Sequence, residues 1–284
     1  MEFHQPSTWE EALEIKAAYP QAVPIAGGTD VMVEINLDHR RPDTIIDLTR
    51  IRGLTEWGAE DGLVRVGAGV SYTRLIDELW DRLPGLAMAS RTVGSPQIRN
   101  RGTVGGNLGT ASPAGDSHPP LLASDAQVEL ASKAGVRRLP VREFFTGPKR
   151  SAMRPDELIA AFLIEPARGG QQFSKVGTRN AMVIAVCSFA LSIDPARKRV
   201  GTGIGSAGPT PLRAAEAEEF IARELDWENR KAPSEAVIKR FGELVAAAAR
   251  PIDDVRGTAA YRRHALTVLA QRSLRWALDE KWAA

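Results

Sequence analysis

Arg101-Gly102-Thr103-Val104-Gly105-Gly106-Asn107, continuing through Leu108-Gly109-Thr110-Ala111-Ser112-Pro113-Ala114-Gly115-Asp116, is the stretch on which the fold turns. Paired glycines lack Cβ atoms, so the backbone is free to take φ > 0 and its amides can come within hydrogen-bonding distance of a ligand. An earlier stretch, Pro24-Ile25-Ala26-Gly27-Gly28-Thr29-Asp30, has the same grammar: a short apolar run, a double glycine, then a hydroxyl and a carboxylate suited to capping a following helix. The residues predict two Gly-Gly turns. One pyrophosphate held by both is the simplest reading.

Composition narrows the class. At 284 residues and 30.8 kDa, with 43% apolar and 25% charged residues, the chain reads as one or two globular domains. Net charge is +2 with the signs interspersed, so there is no nucleic-acid footprint. Lys149-Arg150 and Arg197-Lys198-Arg199 read as solvated turns. No apolar run reaches the ~20 residues of a membrane span, and Met1 to Pro6 lacks a signal-peptide pattern, which predicts a cytoplasmic protein. Cys187 is the only cysteine, so the chain has no intrachain disulfide, no thiolate zinc site and no cysteine-ligated cluster of its own.

Three blocks follow along the chain. The first, residues 1–57, is βαβ-like: a helix opened by the capping box Ser7-Thr8-Trp9-Glu10, a strand over Val23–Ala26, one helical turn with Val31, Met32 and Ile35, and a strand over Thr44–Leu48. The second, 58–168, has a strand at Leu63–Val70, a helix through Leu79 and helical Leu86–Ala89. Strands follow at Ala126–Leu130, Arg137–Val141 and Leu158–Ile164, with few helices overall. Pro166–Gly170 reads as the linker. The third, 170–284, has strands at Phe173–Val176, Cys187–Ile193 and Val200–Gly205, the last two joined as a hairpin, and then helices ending in an amphipathic one through Leu278. The fold class is α+β.

Several residues tempt a chemical reading. Gly203-Ile204-Gly205-Ser206-Ala207-Gly208 matches the dinucleotide pattern G-x-G-x-x-G, yet Pro209 and Pro211 forbid the helix that fingerprint requires, so it reads as a hairpin end. His118 has no evident partner and reads as a surface or packing residue. Cys187 reads as a small buried one. Arg99 and Arg101 either neutralise phosphate or hold their loop. No nucleophile arrangement, catalytic residue or metal site is predicted, so the chemistry must come from a bound cofactor.

The two glycine motifs, each with a threonine beside it, resemble those of the FAD-binding medium subunit of molybdenum-containing hydroxylases, the family of the carbon monoxide dehydrogenase flavoprotein and the xanthine dehydrogenase flavin domain. The resemblance spans nearly the whole chain. It implies a two-subdomain FAD-binding domain of the vanillyl-alcohol-oxidase (PCMH) type and a C-terminal α+β domain. It also implies non-covalent FAD contacted by Pro24, Ile25, Ala26, Gly27, Gly28, Thr29, Asp30 and Val31, and by Thr103, Val104, Gly105, Gly106 and Asn107. The stretch Val93 to Arg101 would run past the isoalloxazine, with Val93 and Gly94 among the cofactor contacts. Asp116 would meet the adenosine part, and Lys175 the flavin. Asp253-Asp254-Val255-Arg256-Gly257 and Tyr261-Arg262-Arg263 resemble another family signature, which we read as capping and salt-bridging.

In such families a large partner subunit carries the molybdenum cofactor and a small one carries two 2Fe-2S clusters, in a dimer of heterotrimers. Electrons pass from a cluster to FAD and leave to NAD, a quinone or another acceptor. Thr29-Asp30 departs from the His-Ser pair of the carbon monoxide dehydrogenase flavoprotein. That favours a purine or N-heterocycle hydroxylase, with xanthine as the favoured example, over carbon monoxide oxidation; an aldehyde dehydrogenase is also open within the family. A carbon monoxide dehydrogenase medium subunit, a self-sufficient flavin oxidoreductase and a non-enzymatic FAD-storage protein remain as alternatives.

Overall fold

The computed structural model of the protein describes residues 1–281, so residues 282–284 of the C-terminal block lie outside the described residues. The chain opens with β1 (Glu2–His4), α1 (Trp9–Ala18), β2 (Val23–Ile25), α2 (Val31–Asn36) and β3 (Thr44–Asp47). These strands form a three-stranded parallel sheet in the order β1-β3-β2. β1 escapes a periodicity reading because three residues give no alternation to count. The capping box at α1 sits one residue later than its letters suggest. Thr8 Oγ1 accepts from the Glu11 amide at 3.1 Å, and Glu11 Oε2 accepts from the Ser7 amide at 2.8 Å.

Next come β4 (Trp57–Glu60), β5 (Leu63–Gly67), α3 (Tyr72–Leu79), α4 (Pro84–Arg91), α5 (Pro96–Arg101), α6 (Val104–Thr110) and α7 (His118–Ala123). β6 (Gln127–Ser132), β7 (Gly135–Pro140), α8 (Val141–Phe144), β8 (Phe145–Gly147), β9 (Arg150–Ser151) and β10 (Leu158–Ile164) complete the block. The six helices here correct the expectation of few. None exceeds eight residues, and α5 to α8, at four to seven, are too short for a helical period to declare itself.

β4-β5-β10-β6-β7 form an antiparallel sheet with β10 at its centre, buried at every position. Its inner face carries Val64, Val66, Val128, Leu130 and Phe162, in the same apolar cluster as Ala12 from α1 and Ile46 from β3. On the outer face Ala161 lies opposite Glu129, a small neighbour that lets two guanidiniums converge. Arg65 donates to Glu129 Oε1 at 2.6 Å and Arg138 to Oε2 at 2.6 Å, and both also meet Glu60. These bonds hold the Glu129 carboxyl below the usual range against its burial.

The last block comprises β11 (Gln171–Val176), β12 (Cys187–Asp194), β13 (Arg199–Gly205), α9 (Ala215–Glu224), α10 (Glu235–Ala248) and α11 (Ala259–Lys281). The strands form an antiparallel meander, β11-β12-β13. Alternation along β12 sorts its faces. Cys187, Phe189, Leu191 and Ile193 pack against the three helices, while Ala190 packs toward Ala89 and Ala123. Burial pushes the Cys187 thiol up to about 12, which leaves it inert. Lys149 and Arg150 do lie at a turn, but Lys149 pairs with Glu34, and Arg197 and Arg199 pair with Glu165 and Asp125. Among the described residues no helix is long and apolar enough to cross a membrane.

The G-x-G-x-x-G letters belong to the end of β13, with no helix before Ala215. Its glycines serve packing: a Cβ on Gly203 would overlap the Pro119 carbonyl of α7, so the helix lies directly on the strand. Gly203→Ala must separate these backbones and is expected to cost about 3 kcal/mol. Gly53→Ala, where a Cβ meets nothing, is expected to be neutral or stabilising by about 0.5 kcal/mol. Urea unfolding at constant m-value distinguishes the two.

Candidate functional site

The two glycine motifs meet backbone to backbone. β2 delivers Ala26-Gly27-Gly28-Thr29-Asp30 to the start of α2, and a Cβ on Gly27 would overlap the Arg101 carbonyl at the end of α5. Gly28 takes φ +76, the left-handed region that glycine alone enters freely. Asp30 stands at the α2 N-cap but its side chain caps nothing. Its Oδ2 instead accepts from Thr110 Oγ1 at 2.9 Å, tying the first motif to the far end of α6.

The second motif is not a turn. Gly105 and Gly106 form the first turn of α6, which Thr103 caps by accepting the Gly106 amide at 2.9 Å, and neither glycine has a positive φ. Gly105 is needed because a Cβ there would collide with the Ala68 backbone. Asn107 reaches the following loop: its Oδ1 accepts from the Ser117 amide at 3.4 Å. Among the described residues, the amides of Gly27 to Val31 and of Val104 and Gly105 find no acceptor. Open amides of this kind, gathered from two touching segments, suit an anion.

Lys175 lies at a junction the sequence does not show. Its Nζ donates to Asp116 Oδ2 at 2.6 Å, to the Thr92 carbonyl at 2.9 Å and to the Val183 carbonyl at 3.2 Å, so all three protons are taken. Burial pushes the Asp116 carboxyl up, opposed by Lys175 and Thr92, and its Oδ1 is buried with no partner. Asp116 therefore caps no turn here but forms an ion pair between the first half of the chain and β11. The structure thus brings together, 2.6 Å apart, the two side chains to which the resemblance gives separate contacts.

Val93 and Gly94 follow Thr92 directly, and Arg99 Nη1 donates to both of their carbonyls, at 3.1 and 3.2 Å. Arg99 thus holds its loop. Ser95 caps α5, so the segment expected to run past the ring is in part helical. Arg101 is exposed, and its side chain makes no hydrogen bond or ion pair among the described residues.

Three supporting residues escaped the sequence reading. Tyr72 is buried, with its ring against Gly102 and its hydroxyl 3.2 Å from Ser117 Oγ; burial raises its pKa far above the usual phenol value. Thr92 and Val183 offer Lys175 only their carbonyls, which no side-chain pattern announces. Of the two readings given to His118, surface or packing, the structure gives packing. The residue is wholly buried, with Nε2 3.1 Å from the Asn107 carbonyl, its ring against Phe145 and Nδ1 unpartnered.

The comparisons with known proteins give the class first. A carbon monoxide dehydrogenase from Hydrogenophaga pseudoflava, lacking the Mo-pyranopterin moiety of its cofactor, superposes with TM-score 0.88 at 25% identity over 99% of this chain and 98% of that one. The chain shares that mixed helix-and-sheet fold over 99% of its length. The family follows. Residues 1–166 match the FAD binding domain in molybdopterin dehydrogenase, and residues 172–277 match the CO dehydrogenase flavoprotein C-terminal domain. The chain belongs to this family of flavoprotein subunits of molybdenum-dependent dehydrogenases. A xanthine dehydrogenase FAD-binding subunit of Escherichia coli O157:H7 is 34% identical over 249 residues, 84% of this chain and 85% of the relative. A nicotinate dehydrogenase FAD-subunit of Eubacterium barkeri is 34% identical over 233 residues, 78% and 79%.

His118 supplies a test of the scaffold around Asn107. Burial lowers its pKa from 6.5 to about 4, so between these values the unfolded chain takes up a proton that the native one refuses. Stability contributed by neutral His118 is complete above pH 6.5 and falls as the pH drops toward 4, by at most about 3 kcal/mol. Denaturant titrations across that window should show the wild type losing stability faster than His118→Gln.

Proposed function

We propose that this chain binds FAD non-covalently and relays electrons, taking them from a 2Fe-2S centre on a small partner subunit and yielding them to NAD, a quinone or another acceptor. A large subunit would carry the molybdenum cofactor and oxidise the organic substrate, in a dimer of heterotrimers in the cytoplasm. The observation that carries this reading is the clasp of Gly27 on the Arg101 carbonyl, which brings two sets of open amides together. The names of the relatives support it, two of them being FAD subunits.

The residues fit the cofactor. Ala26 to Val31 and Thr103 to Asn107 would hold the pyrophosphate through amides, with Pro24 and Ile25 forming the half-buried strand end beneath. We read Asp116 at the flavin end rather than at the adenosine part, a reading supported by its pairing with Lys175, whose Nζ bonds the carbonyl next to Val93. There its unpartnered Oδ1 would accept a cofactor hydroxyl or ring N–H. Lys175 has no proton to spare, so it would act on the ring as a fixed positive charge. FAD when bound supplies the exchange between one-electron and two-electron steps. The chain itself orients it, neutralises its phosphates and sets the field at its ring. We also read residues 1–57 and 58–168 as the two subdomains of a vanillyl-alcohol-oxidase (PCMH) type domain and 170–284 as a C-terminal domain, with Thr29-Asp30 favouring a purine or N-heterocycle substrate for the complex.

The purified chain is expected to show a flavin spectrum that acid precipitation releases into the supernatant. Gly27→Ala, which must break the clasp, should weaken FAD binding by at least about tenfold, against no change for Gly53→Ala. Lys175→Met should shift the flavin midpoint potential to more negative values in a redox titration, since less positive charge then stabilises the reduced ring. A colourless wild-type chain that takes up no added FAD would sink the reading.

A further inference from the structure

The Asp254–Arg262 pair lies in the C-terminal signature, away from the glycine motifs, yet it leads to the Asp116 loop. Arg262 projects from α11 and is buried, only 4% exposed. Nη2 donates to Asp254 Oδ1 at 2.5 Å, Nη1 donates to the Ser206 carbonyl at 2.6 Å, and Nε has no partner. Ser206 follows β13 directly, and its own amide donates to the Pro113 carbonyl at 2.9 Å. Pro113 stands three residues before Asp116.

Stability does not account for this arrangement. A buried guanidinium with an unsatisfied N–H gives little or no net stabilisation over an apolar side chain of similar size. Ser206 is held at φ +56, a left-handed conformation unfavourable for serine, and its buried hydroxyl also lacks a partner. Residues keep such conformations where their surroundings over-determine them. Here the two determinants are the Arg262 guanidinium on the carbonyl side and Pro113 on the amide side.

We propose that Arg262 is a positioning residue for the cofactor site: through Ser206 and Pro113 it sets where the 112–116 loop lies, and so where Asp116 meets Lys175 and the FAD. This rests on the FAD reading above. The C-terminal block then acts on the site twice, directly through Lys175 and at one remove through Arg262.

A double-mutant cycle on FAD affinity of the full chain, read by flavin fluorescence, tests it. Arg262→Met is expected to raise the Kd about tenfold in the wild-type background and less than about twofold in Asp116→Asn, because the strut then has no carboxylate left to place. Arg262→Lys should recover part of the loss. Should Arg262→Met fail to fold, Asp254→Asn serves in the same cycle, since Asp254 is partly solvated. An equal effect in both backgrounds, or lowered thermal stability with unchanged Kd, overturns the proposal and leaves the FAD reading standing. A wild-type chain that binds no FAD overturns both.

Discussion

The contact between Gly27 and the Arg101 carbonyl is the constraint on which the rest of the structure depends. Backbone against backbone leaves no room for a side chain, so the segment after β2 and the segment between α5 and α6 occupy one small volume. Each brings amides that secondary structure leaves unsatisfied, and their concentration in one place suits an anion without a cationic clamp. The bond from Thr110 to Asp30 closes the same pair of segments at its other end. Main chain, rather than side chains, makes the contact.

Buried charges divide into two kinds by what they hold. Glu129 between Arg65 and Arg138, and Glu218 between Arg213 and the Thr202 amide and hydroxyl, have each oxygen satisfied and brace a sheet face or a helix. Lys16 does the same at the end of α1, its Nζ on the Pro20 and Ala22 carbonyls. Asp116 and Arg262 differ, for each keeps a polar atom buried and unpaired. Incomplete satisfaction is costly in a low dielectric, so it marks places where something besides stability shaped the side chain. Both lie on the route from the C-terminal helices to the loop after α6.

Strands with many buried positions were legible before the structure. Leu158–Ile164 reads as an apolar run and is the central strand β10, and the β12–β13 hairpin shows in its turn residues. The amphipathic C-terminal helix was legible too, through Leu266, Leu269, Ala270, Leu274 and Leu278. Short helices were not, because α5, α6 and α7 end before two turns are complete and a glycine pair reads as a turn in any context. Gly105 is in a helix for a reason lodged elsewhere, in the backbone of Ala68.

By itself the sequence determined the glycine motifs, the absence of cysteine ligands, the failure of the G-x-G-x-x-G decoy and the family to which these residues point. All of these depend on residue type and local spacing, which survive without coordinates. Only the tertiary structure decided that Asp116 and Lys175, 59 residues apart, are one ion pair, and that His118 is buried against Asn107. It alone showed that Arg262 is bonded to Ser206, 56 residues away. Such pairings arise where sheets and helices stack, and the energy of a buried polar contact depends on its whole surroundings, which no stretch of neighbouring residues encodes.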